Sequence, residues 1–416
     1  MSSNQPASLG AAALRPMREP RQLNFAPLNT LSVILFIIGV IGFIIALLTG
    51  RHQRLWAIWL VNFLFFTGIA QGGVVCSAAF YLTQGRWAGA THYRIAEAFT
   101  RFLPIGFILF WGVFLGRRWI FPWIIHPPRQ QVWLNVPFLF ARDGIALLVM
   151  TVVSMWFVSL SRRPAARAWA RRFTDIDMPP VGVRWLAPTV AILYCGIYSL
   201  LAFDLIMSLS PKWHSTLFGW WYFATDFWSA TVAMGLMVAI LRRLLGPETS
   251  ATSPGVLHDI GKMIFAFSIF WMYTGFAQYL VIWYGDIPAE TFFIVVRFWH
   301  APWIFLSWSA PILIWLVPFV VLLGVRPKRT PGILGTVSLL GLIGVWILNY
   351  ILVLPSLLPN ALPFGWVELT VTAGFLGIFL LCSVPGLRLV AEEAAEPPPA
   401  TLQATPEIRI RRTSGD

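Results

Sequence analysis

The sequence predicts an all-α, polytopic membrane protein of about ten transmembrane helices. Of its 416 residues, 58% are hydrophobic and 11% charged, and the mean hydropathy is +0.73. A single water-soluble core cannot hide that proportion of apolar side chains. Runs such as Leu31 to Leu48, Val181 to Leu209 and Gly332 to Leu354 hold few or no charges, and each has the roughly 20 residues needed to cross about 30 Å of hydrocarbon. The 22 Trp and 33 Phe suit the same solvent, because indole and phenyl rings gather at headgroup boundaries and between packed helices.

The first 29 residues are polar, contain Pro6, Pro16, Pro20 and Pro27, and lack the apolar stretch of a cleavable signal peptide. Residues 1–29 therefore read as a cytoplasmic N-terminal segment. The membrane domain, 30–390, divides into spans at about Leu31 to Leu48, Trp56 to Leu82, Phe99 to Leu115, Phe138 to Leu160 and Trp185 to Leu209. Its second half gives Phe218 to Leu241, Ile260 to Trp283, Pro302 to Leu323, Ile333 to Leu354 and Trp366 to Leu387. Residues 391–416 turn acidic, then Pro-rich, then basic, the composition of a disordered or partner-bound cytoplasmic tail.

The net charge of +13 lies between the apolar runs, so it orients the chain in the membrane and does not point to nucleic acid. Loops on one side carry Arg15, Arg18, Arg21, Arg86, Arg94, Arg162, Arg163, Arg167, Arg171, Arg172, Arg184, Arg242, Arg243, Lys262, Arg326, Lys328 and Arg329. The other side carries Arg51, Arg54, Arg117, Arg118, Arg129, Lys212 and Arg297. Cationic loops stay in the cytoplasm, so both termini are expected there, which an even number of spans satisfies.

Cys76, Cys195 and Cys382 are isolated, without CxxC or CxxCH, so iron–sulfur ligation and covalent haem attachment have no motif here. The six histidines, His52, His92, His126, His214, His258 and His300, fall in loops or at helix ends, away from the depth at which a b-type haem takes its axial ligands. The block Phe66 to Gln71 (FTGIAQ) is echoed by Tyr273 to Gln278 (YTGFAQ) in the oppositely directed seventh span, either an inverted repeat or shared small-residue packing.

Ionisable groups inside a span are functional candidates because hydrocarbon penalises them by several kcal/mol. Asp204 lies near the outer end of the fifth span, Asp226 two turns into the sixth from its outer end, Asp143 beside Arg142 at the start of the fourth, and Glu368 at the start of the tenth. Together they suggest an outward-opening set of acids, with helix capping or pairing to a neighbouring Arg as the plain alternative. The seventh span begins His258-Asp259-Ile260-Gly261-Lys262. Asp259 and Lys262 share a helix face and can pair, either as a cap with a snorkelling Lys or as a proton entrance with His258. Tyr273, Gln278, Tyr279 and Tyr284 follow on that helix; Tyr273 is about 21 Å along from Asp259. On this reading no carboxylate sits at the membrane centre, and Tyr273 with water carries the crossing toward Asp226 or Asp204.

Two polar stretches carry a family resemblance: Asp204 to Gly219 (DLIMSLSPKWHSTLFG), and His258 to Phe267 (HDIGKMIFAF), continuing through Tyr273 to Gln278 through Thr291 (QYLVIWYGDIPAET). Over essentially its whole hydrophobic part the chain resembles the NrfD-like (polysulfide reductase membrane subunit) family, in its ActF branch from bacterial alternative complex III. It departs from the pattern at Ser210 and Lys212, where the family leads one to expect an acid and a His.

The resemblance implies two four-helix bundles with an outer helix on each side, in the bacterial inner membrane. It implies a subunit, not catalytic alone, of a quinol:cytochrome c (electron acceptor) oxidoreductase that couples quinol oxidation to proton translocation in the respiratory chain. No redox cofactor is expected in this chain; haem c, iron–sulfur clusters and quinol belong to partners. Those are a sister NrfD-like subunit holding most of the quinol site, a periplasmic iron–sulfur subunit, multihaem cytochrome c subunits and small membrane anchors. Asp204, His258, Asp259 and Lys262 are the positions it carries over. Other readings are a quinone pocket of the chain's own at Asp143 and Asp204, a scaffold without proton chemistry, and a solitary transporter, for which Pro104, Pro188 and Pro311 sit too near helix ends.

Overall fold

The computed structural model describes residues 24–85, 89–127, 132–171, 178–245 and 254–395; the expected N-terminal segment up to residue 23 and the tail from residue 396 lie outside them. Among the described residues the regular elements are helices, with no strand. Ten are long and apolar enough to cross a membrane, numbered spans 1 to 10: Ala26–Leu48, His52–Leu82, His92–Leu115, Val136–Ser161, Val181–Leu209, Leu217–Leu244, Pro254–Gly285, Ile304–Val321, Pro331–Leu357 and Trp366–Glu392. The chain is an all-α multi-pass membrane protein.

Proline sits where a helix can use it. Pro27, Pro137 and Pro331 occupy first-turn positions, where the missing N–H would have no intrahelical acceptor anyway. Pro311 lies inside span 8, and the helix re-registers through a π turn at Ile312–Leu316, as expected when an i→i−4 bond is lost. A second π turn, Ala202–Ile206, distorts the end of span 5 and carries Asp204.

Spans 2 and 6 form the centre: 94% and 83% of their apolar windows are buried, against 22% for spans 1, 7 and 8. They pack on each other, span 2 against spans 3 and 5 and span 6 against spans 7 and 9, while span 4 lies on span 5 and span 8 on span 9. Spans 2–5 and 6–9 are thus two four-helix bundles joined back to back through spans 2 and 6. The expectation of one outer helix on each side is corrected: spans 1 and 10 pack on each other, and span 10 rests on spans 2 and 3. They approach at Gly39 and Gly374, where a Cβ on either residue would strike the backbone of the other. Without a hydrophobic drive between helices in lipid, such small-residue contact supplies dispersion energy.

The FTGIAQ echo joins helices in unlike positions, since span 2 is central and span 7 peripheral. Burial pairs span 2 with span 6 instead.

Candidate functional site

Asp226 is the centre of the site. On span 6 it faces Gly68 and Gly72 of span 2, and a Cβ at Gly68 would collide with its carboxylate. Gly68 lies one residue past the midpoint of the 31-residue span 2, so this carboxylate is at mid-membrane. That corrects the sequence expectation that none sits there. Asp226 is only the tenth residue of span 6 yet stands beside the seventeenth of span 2, because span 6 opens deeper, after the Ser210–Thr216 connection. Asp226 is almost fully buried, its Oδ2 has no hydrogen-bond donor, and Tyr194, Tyr198 and Tyr222 lie near enough to feel its charge. The tyrosine hydroxyls donate elsewhere: Tyr194 to the Phe223 carbonyl (2.5 Å) and Tyr222 to Asn349 Oδ1 (2.8 Å).

Below Asp226, polar contacts are distributed around span 2, toward span 4, span 6 and span 3 in turn. The Gln71 amide meets Ser154 Oγ at 3.0 Å, Cys76 Sγ meets Thr231 Oγ1 at 3.7 Å, and Ser77 Oγ donates to Glu97 Oε1 at 2.9 Å. Glu97 is fully buried and anchors the cluster at the Arg/Lys-rich end. It accepts from Arg94 Nη1 at 2.9 Å and from Ser161 Oγ, and lies 3.6 Å from Arg162 Nε. Tyr81 and Ser161 hydroxyls are 3.0 Å apart. Burial pulls the Arg162 guanidinium below its ordinary range, while the Glu97 carboxylate opposes the shift.

The sequence reading missed Glu97. It started the third span at Phe99, whereas a helix at Gly89–Glu97 leads through a short 3₁₀ turn at Thr100–Phe102 into Leu103–Leu115. Arg94 and Glu97, three apart on a helix, were the signal available.

At the opposite end the expected acids converge. Arg142 reaches Asp204 Oδ2 through Nε (3.0 Å) and Nη2 (2.5 Å), and Trp133 Nε1 donates to Asp204 Oδ1 at 2.9 Å. The guanidinium also lies 3.9 Å from the Trp133 ring centre. Asp143 Oδ1 is 3.9 Å from Arg142 Nε, yet neither of its buried oxygens accepts a hydrogen bond. Two carboxylates thus share one guanidinium, and Asp204 holds it. Glu368 is paired elsewhere, with Arg54 of span 2 at 2.6 Å.

The span 7 candidates divide. Asp259 and Lys262 pair at 2.8 Å, with Lys262 about half exposed. Asp259 also acts on His92, which is buried at the start of span 3 beside the Val256 backbone, so this rim set adjoins the helix that carries Glu97. His258 sits on the same rim. Tyr273 does not join the line: it is 67% exposed on the outside of span 7, and Tyr284 is 85% exposed. Gln278 keeps a buried Oε1 without a partner.

No protein-family model matches the chain, and no curated protein matches it in sequence.

Proposed function

We propose that the chain is a proton-conducting membrane subunit of a quinol-oxidising respiratory assembly of the alternative complex III kind. The observation that carries this reading is Asp226, a carboxylate buried at mid-membrane with one oxygen lacking a donor. An isolated charge there costs several kcal/mol, so the group resides as a neutral acid and ionises only when water or a moving charge stabilises it. That is the behaviour of a proton relay.

Two half-paths meet at it. One enters at Asp259, Lys262 and His258, passes His92 and the Glu97 cluster, and climbs span 2 through Gln71 and Ser154. From Ser77 to Gly68 the rise is about 14 Å, with Gln71, Ser154 and Thr231 as polar side chains along it, so this stretch needs water to carry the proton. The other leaves past Tyr198 toward Asp143 and Asp204, about 9 Å farther along span 5. Arg142 is bound to Asp204 through two hydrogen bonds, and Asp143, whose buried oxygens accept none, exchanges the proton.

Electrons take no part in these steps. In this reading quinol, iron–sulfur clusters and haem c lie in a sister NrfD-like subunit, a periplasmic iron–sulfur subunit and multihaem cytochrome c subunits, with small anchors beside them. The family resemblance over Asp204 to Gly219 and His258 to Thr291 supports that assignment.

The test is Asp226→Asn in the assembly isolated in mild detergent and returned to liposomes. Quinol oxidation is expected to continue while proton translocation falls at least tenfold. An unchanged proton yield leaves the scaffold reading, which the interhelical pairs Arg54–Glu368 and Arg142–Asp204 favour. Absence of c-type haem from the isolated material would remove the respiratory assignment.

A further inference from the structure

Between the span 1–span 10 pair and the bundles runs an open groove of about 1130 Å³, walled by spans 1, 2, 3, 6, 9 and 10. Its walls are almost entirely aliphatic and aromatic, among them Leu35, Phe66, Leu236, Leu342 and Leu376. It reaches from Leu387 to Glu368 on span 10, about 28 Å at 1.5 Å per residue, which matches the thickness of the hydrocarbon layer.

The two ends differ in charge. At the Glu368 end the carboxylate is neutralised by Arg54 through two hydrogen bonds. At the other end Arg243 lines the mouth together with Asn24 and Phe25. Arg388 lies over the Phe25 ring, 5.9 Å from its centre. Both arginines are exposed, and Asn24 Oδ1 is occupied in accepting from the Ala26 N–H. One mouth thus carries Arg243 and Arg388, while at the other Arg54 is tied to Glu368 and Arg51 lies over the Trp366 ring, 5.6 Å from its centre, outside the groove lining.

We propose that the groove is a binding site for an anionic phospholipid of the leaflet on the Arg/Lys-rich side. Its phosphate is held between Arg243 and Arg388, and its acyl chains lie in the half of the groove next to them. A guanidinium pair binds phosphate oxygens through charge-assisted hydrogen bonds, and basic pockets between helices at this level of a membrane select anionic headgroups. The far half takes acyl chains of the opposed leaflet without headgroup preference. An uncharged occupant, a neutral isoprenoid or an apolar single-span helix, would leave the arginines without a role. The site does not depend on Asp226 or on the proposed proton path.

The experiment measures lipid retained by the detergent-isolated protein, in whatever assembly it leaves the membrane, after exchange with vesicles of equal phosphatidylglycerol and phosphatidylcholine. The wild type is expected to retain phosphatidylglycerol preferentially. Arg243→Gln and Arg388→Gln should each lower that preference about fivefold, and the pair about thirtyfold. Ala373→Trp, which fills the groove wall, should lower retention of both lipids while leaving the arginines in place. Equal retention of the two lipids by the wild type, or a preference untouched by the double substitution, overturns the proposal, as does recovery of an isoprenoid or a small hydrophobic polypeptide from the groove.

Discussion

At Asp226 a single missing methyl decides the site. Gly68 and Gly72 let span 2 approach the carboxylate so closely that a side chain at Gly68 has no room. Gly68→Ala should push spans 2 and 6 apart at mid-membrane, at about 1–3 kcal/mol, seen as a lower melting temperature in detergent with a loss of proton yield. An unchanged melting temperature would mean that the carboxylate has space to turn away. The two Asp/Glu–Arg/Lys pairs three apart at the basic end offer a paired contrast. Glu97→Ala breaks a buried pair with Arg94, which costs about 3 kcal/mol or more. Asp259→Ala removes one partner of a half-exposed Lys262 and should cost less than about 1 kcal/mol; equal losses in thermal unfolding would contradict the burial difference.

Among the elements, span 9 depends on a residue outside it. Pro355 has no N–H to give the Ile351 carbonyl, and Arg297, buried in the helix Pro288–Phe298, supplies one: Nε to Ile351 O at 2.8 Å, with Nη2 to Leu352 O at 2.9 Å and to Ser356 Oγ at 2.7 Å. The guanidinium fork suits this and an ammonium does not. Arg297→Lys is expected to cost about 1–3 kcal/mol. Pro355→Ala restores the helical bond, so the same Arg297→Lys should cost less in that background, and a double-mutant cycle of melting free energies reads the coupling. Strict additivity would show that Arg297 braces something other than the gap left by proline. Elements also explain the missed acid: a span drawn from hydropathy alone begins where polar residues stop, which excluded Arg94 and Glu97, although their charges cancel inside the bundle.

For the whole molecule, ten candidate crossings put the start of span 1 and the end of span 10 on one side of the membrane, and we propose from the Arg/Lys distribution that this side faces the cytoplasm. In a background with Cys76, Cys195 and Cys382 replaced by Ser, Lys212→Cys should react with an impermeant thiol reagent in intact cells and Thr330→Cys only after lysis. The reverse pattern would invert the molecule and the direction of both half-paths. The class of fold, the number of spans and most of the acids could be read from the sequence, because hydrocarbon imposes length and apolarity on each helix separately and penalises every charge regardless of neighbours. Depth and partnership could not. Asp226 came to the membrane centre because span 6 begins deeper than span 2, Tyr273 turned outward because span 7 is peripheral, and Arg142 chose Asp204 over the adjacent Asp143. Each depends on how helices are set against one another, and that is governed by contacts between residues far apart in the chain, which no local pattern records.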